Sequence, residues 1–569
     1  MTRAGIIPAL LLVCAGGCLA QSQPDPPSPY NNFWYWAIVV GFVVYLVWVI
    51  LYGRTEKQVP PGPDLPPLSD NYGDAKFAPQ QTAMAGGLSE FSGVFFGKSS
   101  SQELTLAEAS ANPGALVCSV PKTHALIVCP TRGGKGIKVV IPTLLRYSPS
   151  GSSVCVIDPK GENAAVTARA RSAGSRIQII NPWGVMAGTF ASFGFSTATY
   201  NPLDLLDRND PNVTSIARSL ATAICPLEGG KDDFWKGSAG DLLSAVFLYL
   251  AYWPGEQKTL ARARQATSMN RKRFTKEFLS KMVSVGEFDG AIRNTADQFI
   301  DLADDTYSGI LANLNRCMSF LNDQQVKAST ASSSFSMSEL TGWGVDRPTS
   351  LYIVAPTAKL ATQKTWLRLL ITAAVTAFKT KPEGQGGYRC MFLLDEFGNL
   401  GALDEMPADI SEASSHGIDF TLILQTLDQL KATYGDNRAT ILNNCAYKWF
   451  SNVGDIETAE YISKTLGKKT VRTVSKGESE GQTVGGKSPQ EREGKSTTYG
   501  ETGRDLLTPD EVLNLGKDVA ILLASGSRPQ YLRPVEYWLL PDAFSMFRKS
   551  CPRLFWEPPL GYDRNPTSR

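Results

Sequence analysis

Histidine is almost missing from this 569-residue chain: there are two, His124 and His416. They stand far apart and outside any ligand spacing, which excludes a metal site built on imidazoles. No Cys-x-x-Cys pair occurs among the ten cysteines. Most lie inside apolar runs such as Val154-Cys155-Val156, so they read as small core hydrophobes in a reducing compartment and not as a disulfide framework. An excess of one charge is missing too. With 56 basic and 54 acidic residues the net charge is +2, so there is no bulk basic footprint for nucleic acid, and any such contact falls to a local patch or a pore lining. What is present is ample apolar material, 43% of residues, enough to fill real cores. The length exceeds one ordinary domain.

The apolar residues are distributed unevenly. Residues 33–52 carry no charge and are about long enough to span a bilayer. Trp34, Trp36, Trp48 and Tyr52 stand near the ends of the stretch, and Arg54 and Lys57 follow it, which places that end on the cytoplasmic side. The earlier stretch 4–20 follows Arg3. It reads either as a first spanning helix or as a secretory signal with an imperfect lipoprotein-type end at Ala15-Gly16-Gly17-Cys18. Both readings put everything after Arg54 in the cytoplasm, and 1–57 is expected to be the membrane anchor. Residues 58–72 contain Pro60, Pro61, Pro63, Pro66 and Pro67 and read as a semi-stiff linker.

Beyond the linker, short apolar β-rich runs recur at 124–129, 153–158, 176–180, 351–355, 390–394, 419–424 and 520–524. Their continuous apolar character suits a parallel sheet buried on both faces, and the helical patterns between them give an α/β fold. Residues 205–340 differ, with helical patterns at 233–252, 271–285, 288–302 and 307–321 and no strand signal between. They are expected to form an all-α domain inserted between two parts of the sheet domain, 73–204 and 341–548. Residues 471–504 are rich in Gly, Ser, Thr, Lys and Glu and are expected to form a mobile loop. Residues 549–569 remain as a C-terminal tail.

One segment carries chemistry. From His124 the chain runs strand, glycine turn, lysine, helix: Cys129-Pro-Thr131-Arg132-Gly133-Gly134-Lys135-Gly136-Ile137. In that order backbone N–H groups of 131–137 and a helix N-terminus can surround phosphates while Lys135 supplies a point charge. The match to G-x-x-x-x-G-K-[ST] is incomplete, because Cys129 and Gly136 stand where the first glycine and the Mg2+-binding hydroxyl are usual. A glycine turn in an ordinary β-α unit is the bland alternative. A second segment, Met391 to Glu396, is an apolar strand ending in two acids. The first acid, Asp395, suits Mg2+, and Glu396 suits polarisation of the attacking water; a solvated strand end is the alternative. A third strand ends in Gln425, placed to sense a γ-phosphate or simply to end a strand. The first two segments together, in this order, point to an ATP- and Mg2+-dependent phosphate-loop NTPase.

The stretch Cys129-Pro-Thr-Arg-Gly-Gly-Lys-Gly-Ile-Lys-Val-Val-Ile-Pro-Thr-Leu-Leu145 resembles the phosphate loop of the type IV secretion coupling proteins, the TraG-like conjugation ATPases. Asp158-Pro-Lys-Gly-Glu162, Tyr200-Asn-Pro-Leu203, Phe234-Trp235, Leu394-Asp-Glu-Phe-Gly398, Gln425 with Gln429-Leu430, Asp455-Ile-Glu-Thr-Ala459, Leu507-Thr-Pro-Asp-Glu-Val-Leu513 and Gly73-Asp-Ala-Lys-Phe-Ala78 are similar to family segments as well. The resemblance covers nearly the whole chain. It implies a RecA-like ATPase with an inserted all-α domain, forming a homohexamer at the bacterial inner membrane. It also implies partners: a relaxase–single-stranded DNA complex or effector proteins as cargo, and the inner-membrane components of a type IV secretion system. By the same resemblance Lys135 binds phosphate, Asp395 serves Mg2+, Glu396 activates water and Gln425 senses nucleotide. Thr131 is the candidate for the missing Mg2+ hydroxyl, and Arg528 for the arginine finger.

Within the helical stretch, Arg262, Arg264, Arg271, Lys272, Arg273, Lys276 and Lys281 form a basic cluster. It is either a phosphate-contacting patch or a solvated helix face interrupted by acids such as Glu277. Three alternatives to a DNA-engaging motor stand beside it: a coupler of protein cargo alone, a receptor that has kept the fold without hydrolysis, and a membrane-tethered translocase of the chromosome-segregation type.

Overall fold

The computed structural model describes residues 40–43, 68–78, 93–99, 116–148, 150–227, 230, 232–381, 387–482 and 491–539. Residues 1–68 form a unit separate from 69–569. In the first unit, 40–43 is helical, with Val40, Phe42 and Val43 exposed. The remainder of the apolar stretches 4–20 and 33–52 lies outside the described residues, as do most of the proline linker and the tail 549–569. Among the described residues no helix is long and apolar enough to cross a membrane.

The second unit is built on a mixed sheet. Its strands are β1 (Phe95–Ser99), β2 (Leu116–Cys118), β3 (His124–Val128), β4 (Ser152–Asp158), β5 (Arg176–Ile180), β6 (Thr197–Ala198), β7 (Thr349–Val354), β8 (Arg389–Leu394), β9 (Ile418–Leu424), β10 (Cys445–Ser451), β11 (Lys468–Gln482), β12 (Glu491–Asp505), β13 (Ala520–Ala524) and β14 (Gln530–Arg533). Among the described residues twelve of these make one sheet in the order β2-β1-β14-β13-β10-β3-β9-β8-β4-β7-β5-β6. From β10 to β6 every neighbouring pair is parallel. The β13, β14, β1 and β2 side is antiparallel.

The seven expected strands all form, and their apolar runs have the expected physical cause. Leu126 and Val128, Cys155 and Ile157, Leu351 and Ile353, and Phe392 and Leu394 face one core. Ala125 and Ile127, Val154 and Val156, Tyr352 and Val354, and Met391 and Leu393 face another. Both faces are dry, so both sets of alternating positions are apolar. Each fully buried Leu, Ile or Phe contributes about 1.5–3 kcal/mol from water exclusion.

Between β6 and β7 the chain runs through helices Val213–Ile224, Asp233–Tyr252, Leu260–Thr267, Ala291–Ile300, Asp304–Cys317 and Gln324–Ser329. In the first of these, Val213, Ile216, Ala217, Leu220, Ala221 and Ile224 are buried, an i, i+3, i+4 stripe. These helices share one continuous core with a face of the sheet and with the long helix Thr357–Lys379.

A buried cation helps fix the frame. Arg171 donates to the carbonyls of Leu144 (2.9 Å) and Tyr147 (2.6 Å) and to Ser350 Oγ (2.8 Å). It thereby satisfies carbonyls at the C-terminal end of helix Ile141–Arg146 and ties that helix to β7.

The expectation of a mobile loop at 471–504 is corrected for the described residues. β11 and β12 pair as an antiparallel ribbon, from Lys468 opposite Asp505 to Gln482 opposite Glu491. Few large apolar residues made the stretch look unstructured. Backbone pairing needs no core, however, and Thr470, Val471, Thr473, Val474, Thr497, Thr498 and Tyr499 favour extended backbone. The base of the ribbon is bound by the segment that follows the linker: Ala75 N donates to Lys468 O (3.0 Å) and Thr470 N to Gly73 O (2.9 Å).

Candidate nucleotide site

Parallel pairing decides where the candidate residues meet. β3 pairs with β9 and β9 with β8, with Val128 opposite Leu424 and Leu394 opposite Leu422. The C-terminal ends of the three strands therefore share one edge of the sheet, where ligands bind in open α/β folds. The segments that follow, 129–135, 395–396 and 425, emerge side by side.

The glycine loop is tightly fitted. Cys129 N donates to Leu424 O (2.9 Å) and Gly133 N to Pro130 O (3.2 Å). A Cβ at Gly133 would stand 2.4 Å from Cys129 Sγ, so no other residue fits there without displacement. Gly134 has φ +87° and Arg132 φ +63°, conformations that glycine adopts freely and arginine only under constraint. The helix then opens with a π-turn, Gly136–Val140, before Ile141–Arg146. Such turns often mark functional sites. Lys138 pins its start by donating to Lys517 O (3.1 Å) and Asp518 Oδ1 (3.3 Å).

Lys135 Nζ lies 3.2 Å from Asp395 Oδ1 and 2.5 Å from Glu396 Oε1. Gln425 Nε2 donates to Glu396 Oε2 at 2.8 Å. The structure thus brings together Lys135, Asp395, Glu396 and Gln425 from three separate segments. Asn399, which carried no signal of its own in the sequence, joins them by donating from Nδ2 to Glu396 Oε2 at 3.1 Å. Its place four residues after Asp395, on the turn Phe397–Asn399, is the only hint that sequence offers.

Burial works against the Lys135 ammonium, but the charges of Asp395 and Glu396 outweigh it and hold its pKa above the ordinary lysine value. Burial raises the Asp395 pKa, with Lys135 pulling the other way. Asp158, at the end of the neighbouring β4, is buried and pushed up to about 7, chiefly by desolvation. Ala164 N at 2.8 Å opposes that rise, and the charge of Asp395 adds to it. Desolvation likewise pushes the Cys129 thiol up to about 11, so it is an inert packing group under the loop.

The other expected residues are placed less centrally. Thr131 and Arg132 occupy the exposed outer turn of the loop. Among the described residues the polar set around Lys135 includes neither. Ile137 is partly buried against the cluster that contains Val535 and Tyr537. At Gly136 a Cβ would meet nothing within 4 Å, so there is open space where related loops present a hydroxyl. Asp395 suits Mg2+ chemically, as a hard carboxylate oxygen on a cation that takes its remaining ligands from phosphate and water. Among the described residues no three His, Cys, Asp or Glu side chains converge as a closed metal cage, which an open site of that kind does not need.

Two further groups singled out in the sequence lie away from this set. Arg528 follows β13, which runs antiparallel to β10 with Ala524 opposite Tyr447, while Ala125 at the start of β3 is also level with Tyr447. Arg528 therefore sits at the end of the sheet opposite the glycine loop, 3.5 Å from Asp74. The basic cluster of the helical stretch is largely engaged from within. Arg262 pairs with Glu256 (2.6 Å), and Arg273 with Glu277 (2.7 Å). Arg264 donates to Met318 O and Asn322 Oδ1. Arg271 pairs with Asp304 and donates to Ile300 O and Leu302 O. Lys272, Lys276 and Lys281 remain exposed.

Comparison with known proteins gives relatives in sequence and in fold. The conjugal transfer protein TraG of Escherichia coli is 29% identical over 412 residues, covering 69% of this chain and 61% of that protein. Protein VirD4 of Rhizobium radiobacter is 27% identical over 444 residues, covering 75% and 58%. The matched region thus spans about three fifths of the length of these relatives. In fold, the chain matches the bacterial conjugative coupling protein TrwB lacking its N-terminal region, with a TM-score of 0.55 and 16% identity over 82% of this chain and 96% of that one. That protein has also been solved in complex with ADP and Mg2+. Residues 77–552 match the family "Type IV secretory system Conjugative DNA transfer", and the chain belongs to this family of type IV coupling proteins.

Proposed function

We propose that this protein is the coupling ATPase of a type IV secretion or conjugation system. It receives a relaxase–single-stranded DNA complex, effector proteins or both, and delivers them to the secretion channel using ATP. The observation that carries this reading is the convergence of Lys135, Asp395, Glu396 and Gln425 beside a glycine loop at one edge of a parallel sheet. In this reading Lys135 meets the outer phosphates of ATP, and the N–H groups of residues 131–137 line the cradle. Asp395 holds Mg2+, which when bound neutralises charge on the phosphate oxygens. Glu396 orients and polarises the attacking water, and Gln425 senses the γ-phosphate. The two acids already pair with the ammonium that a nucleotide would use, and the amide holds Glu396, so ATP enters by exchanging phosphate for carboxylate around Lys135. The apolar stretches 4–20 and 33–52 anchor the protein in the inner membrane with its motor in the cytoplasm, and the working form is a homohexamer beside the channel's inner-membrane components.

A specific observation favours protein over DNA as what the helical stretch contacts: the arginines 262, 264, 271 and 273 are occupied by internal partners, which leaves few cations for phosphates. The test is ATP hydrolysis by the full chain in detergent micelles, with and without single-stranded DNA, beside Lys135→Ala. Turnover that rises with DNA and disappears in the variant supports the DNA-engaging motor. Turnover indifferent to DNA selects the protein-cargo reading, and equal turnover in wild type and variant contradicts the ATPase.

A further inference from the structure

The partners of Glu396 divide into two kinds. Lys135 holds Oε1 at 2.5 Å and Gln425 holds Oε2 at 2.8 Å. Both are groups that, on the reading above, nucleotide phosphates would claim. The third partner, Asn399, donates to Oε2 at 3.1 Å and has no such call on it. Once phosphate takes Lys135 and Gln425, Asn399 is the donor left to fix the carboxylate.

The turn that carries Asn399 is well supported. Asn399 N donates to Glu396 O at 2.8 Å, so the side chain and backbone of one residue bracket the other. Phe397 is buried and its ring stacks on Tyr434, with centroids 5.9 Å apart and planes 12° off parallel. A Cβ at Gly398 would stand 2.7 Å from the Gln429 amide carbon, so that amide lies directly on the turn. The Oε1 of Gln429 in turn accepts from Gln425 N at 2.8 Å. The two amide donors to Glu396 are thereby held in one local frame. Glu396 itself has φ +62° and ψ +37°, a left-handed conformation that a glutamate keeps only where its surroundings over-determine it. The backbone is strained at the residue whose side chain must be aimed.

We propose that Asn399 is a positioning residue for hydrolysis: its Nδ2–H holds Glu396 Oε2 in both the nucleotide-free and nucleotide-bound states, so that Oε1, released by Lys135, is the oxygen that faces the attacking water. Asn399 itself touches neither nucleotide nor water. This inference rests on the ATPase reading.

The experiment is steady-state ATP hydrolysis by the full chain in detergent micelles, comparing wild type with Asn399→Ala, Asn399→Leu, Asn399→Gln and Lys135→Ala, together with thermal midpoints. The expected result is a fall in kcat of about 10- to 100-fold in Asn399→Ala and Asn399→Leu, the usual cost of a misplaced catalytic group. KM for ATP stays within about twofold because ground-state binding is untouched, and Asn399→Gln, which keeps an amide donor, recovers part of the loss. Unchanged kcat in both Ala and Leu variants overturns the proposal. So does a loss confined to KM, or a loss in all three variants that tracks a lowered thermal midpoint. Failure of the underlying reading looks different: wild type then turns over no faster than Lys135→Ala, whatever stands at 399, and the proposal falls with it.

Discussion

The edge of the sheet and the helical stretch both gather charge, and they do so in opposite ways. At the edge, one ammonium faces two carboxylates, and the five side chains involved come from residues 135, 395, 396, 399 and 425. In the helical stretch, four arginines lie within twelve consecutive residues, and each has a partner of its own. The arginines of the second arrangement are engaged, three by acids and Arg264 by uncharged oxygens, while Lys272, Lys276 and Lys281 stay exposed. In the first, acids outnumber cations, and burial raises the pKa of Asp395 and Asp158. A run of like charges in sequence is therefore a weak sign of a site, because nearby acids and carbonyls can engage much of it. Convergence of few charges from distant segments, left unbalanced at a strand edge, is the stronger sign.

Substitutions at the edge should reduce chemistry, and the largest effect is expected there. Glu396→Gln should lower kcat for ATP by about 10²–10⁴-fold with KM little changed, measured by phosphate release. A smaller fall would place the base elsewhere. Next is the stability cost of the buried acid. The Asp158 pKa in the fold, about 7, exceeds its ordinary 3.8, so the folded state binds the proton more tightly. Its contribution is fully present below pH 3.8, is lost as pH rises towards 7, and is constant above. Asp158→Asn should flatten the fall in unfolding free energy over that window by a few kcal/mol, roughly, as read from urea titrations at several pH values.

In the helical stretch the effects should fall on stability and spare chemistry. Arg271→Ala removes an ion pair and two carbonyl partners and should cost about 1–3 kcal/mol with kcat for ATP unchanged. A loss of DNA stimulation without a loss of stability would break the comparison. The smallest effect is expected from replacing Lys272 and Lys276 together. If the cluster is a solvated face, the salt dependence of single-stranded DNA binding is unaltered; if it meets phosphates, the logarithmic slope drops by about 0.7 for each phosphate left without its lysine. Gly136→Ser should be accommodated without loss of stability, since the added Cβ meets nothing within 4 Å. It would sharpen the edge's chemistry if it tightened the Mg2+ requirement for turnover.

Much of this was legible from sequence because burial on both faces leaves unbroken apolar runs, as in β4 and β9. The glycine loop and the Asp395-Glu396 pair were legible because each ends such a run. β10 escaped notice because Lys448 interrupts it. Burial lowers the pKa of that lysine, while its Nζ finds the carbonyl of Cys445 at 2.8 Å. The short strands β1, β2 and β14 lie on the antiparallel side and have too few residues for a pattern. The β11–β12 ribbon was invisible to a reading based on apolar content, since cross-strand pairing holds it. Asn399 could not be singled out, because its role depends on a left-handed turn at Glu396 that no residue type announces. Arg528 lies away from its own chain's glycine loop for a topological reason: β13 runs against its neighbour β10, which carries the following turn to the far end of the sheet.

The central claim is that Lys135 and its two acids form a nucleotide-phosphate site. It is tested most directly by calorimetric titration of Mg2+–ATP into the full chain carrying Glu396→Gln, with and without Lys135→Ala. The account predicts saturable binding in the single variant, and a fall in affinity of about 100-fold or more when the ammonium is also removed, on the scale of a buried pairing between a cation and a phosphate. Equal affinity in the two variants would contradict it.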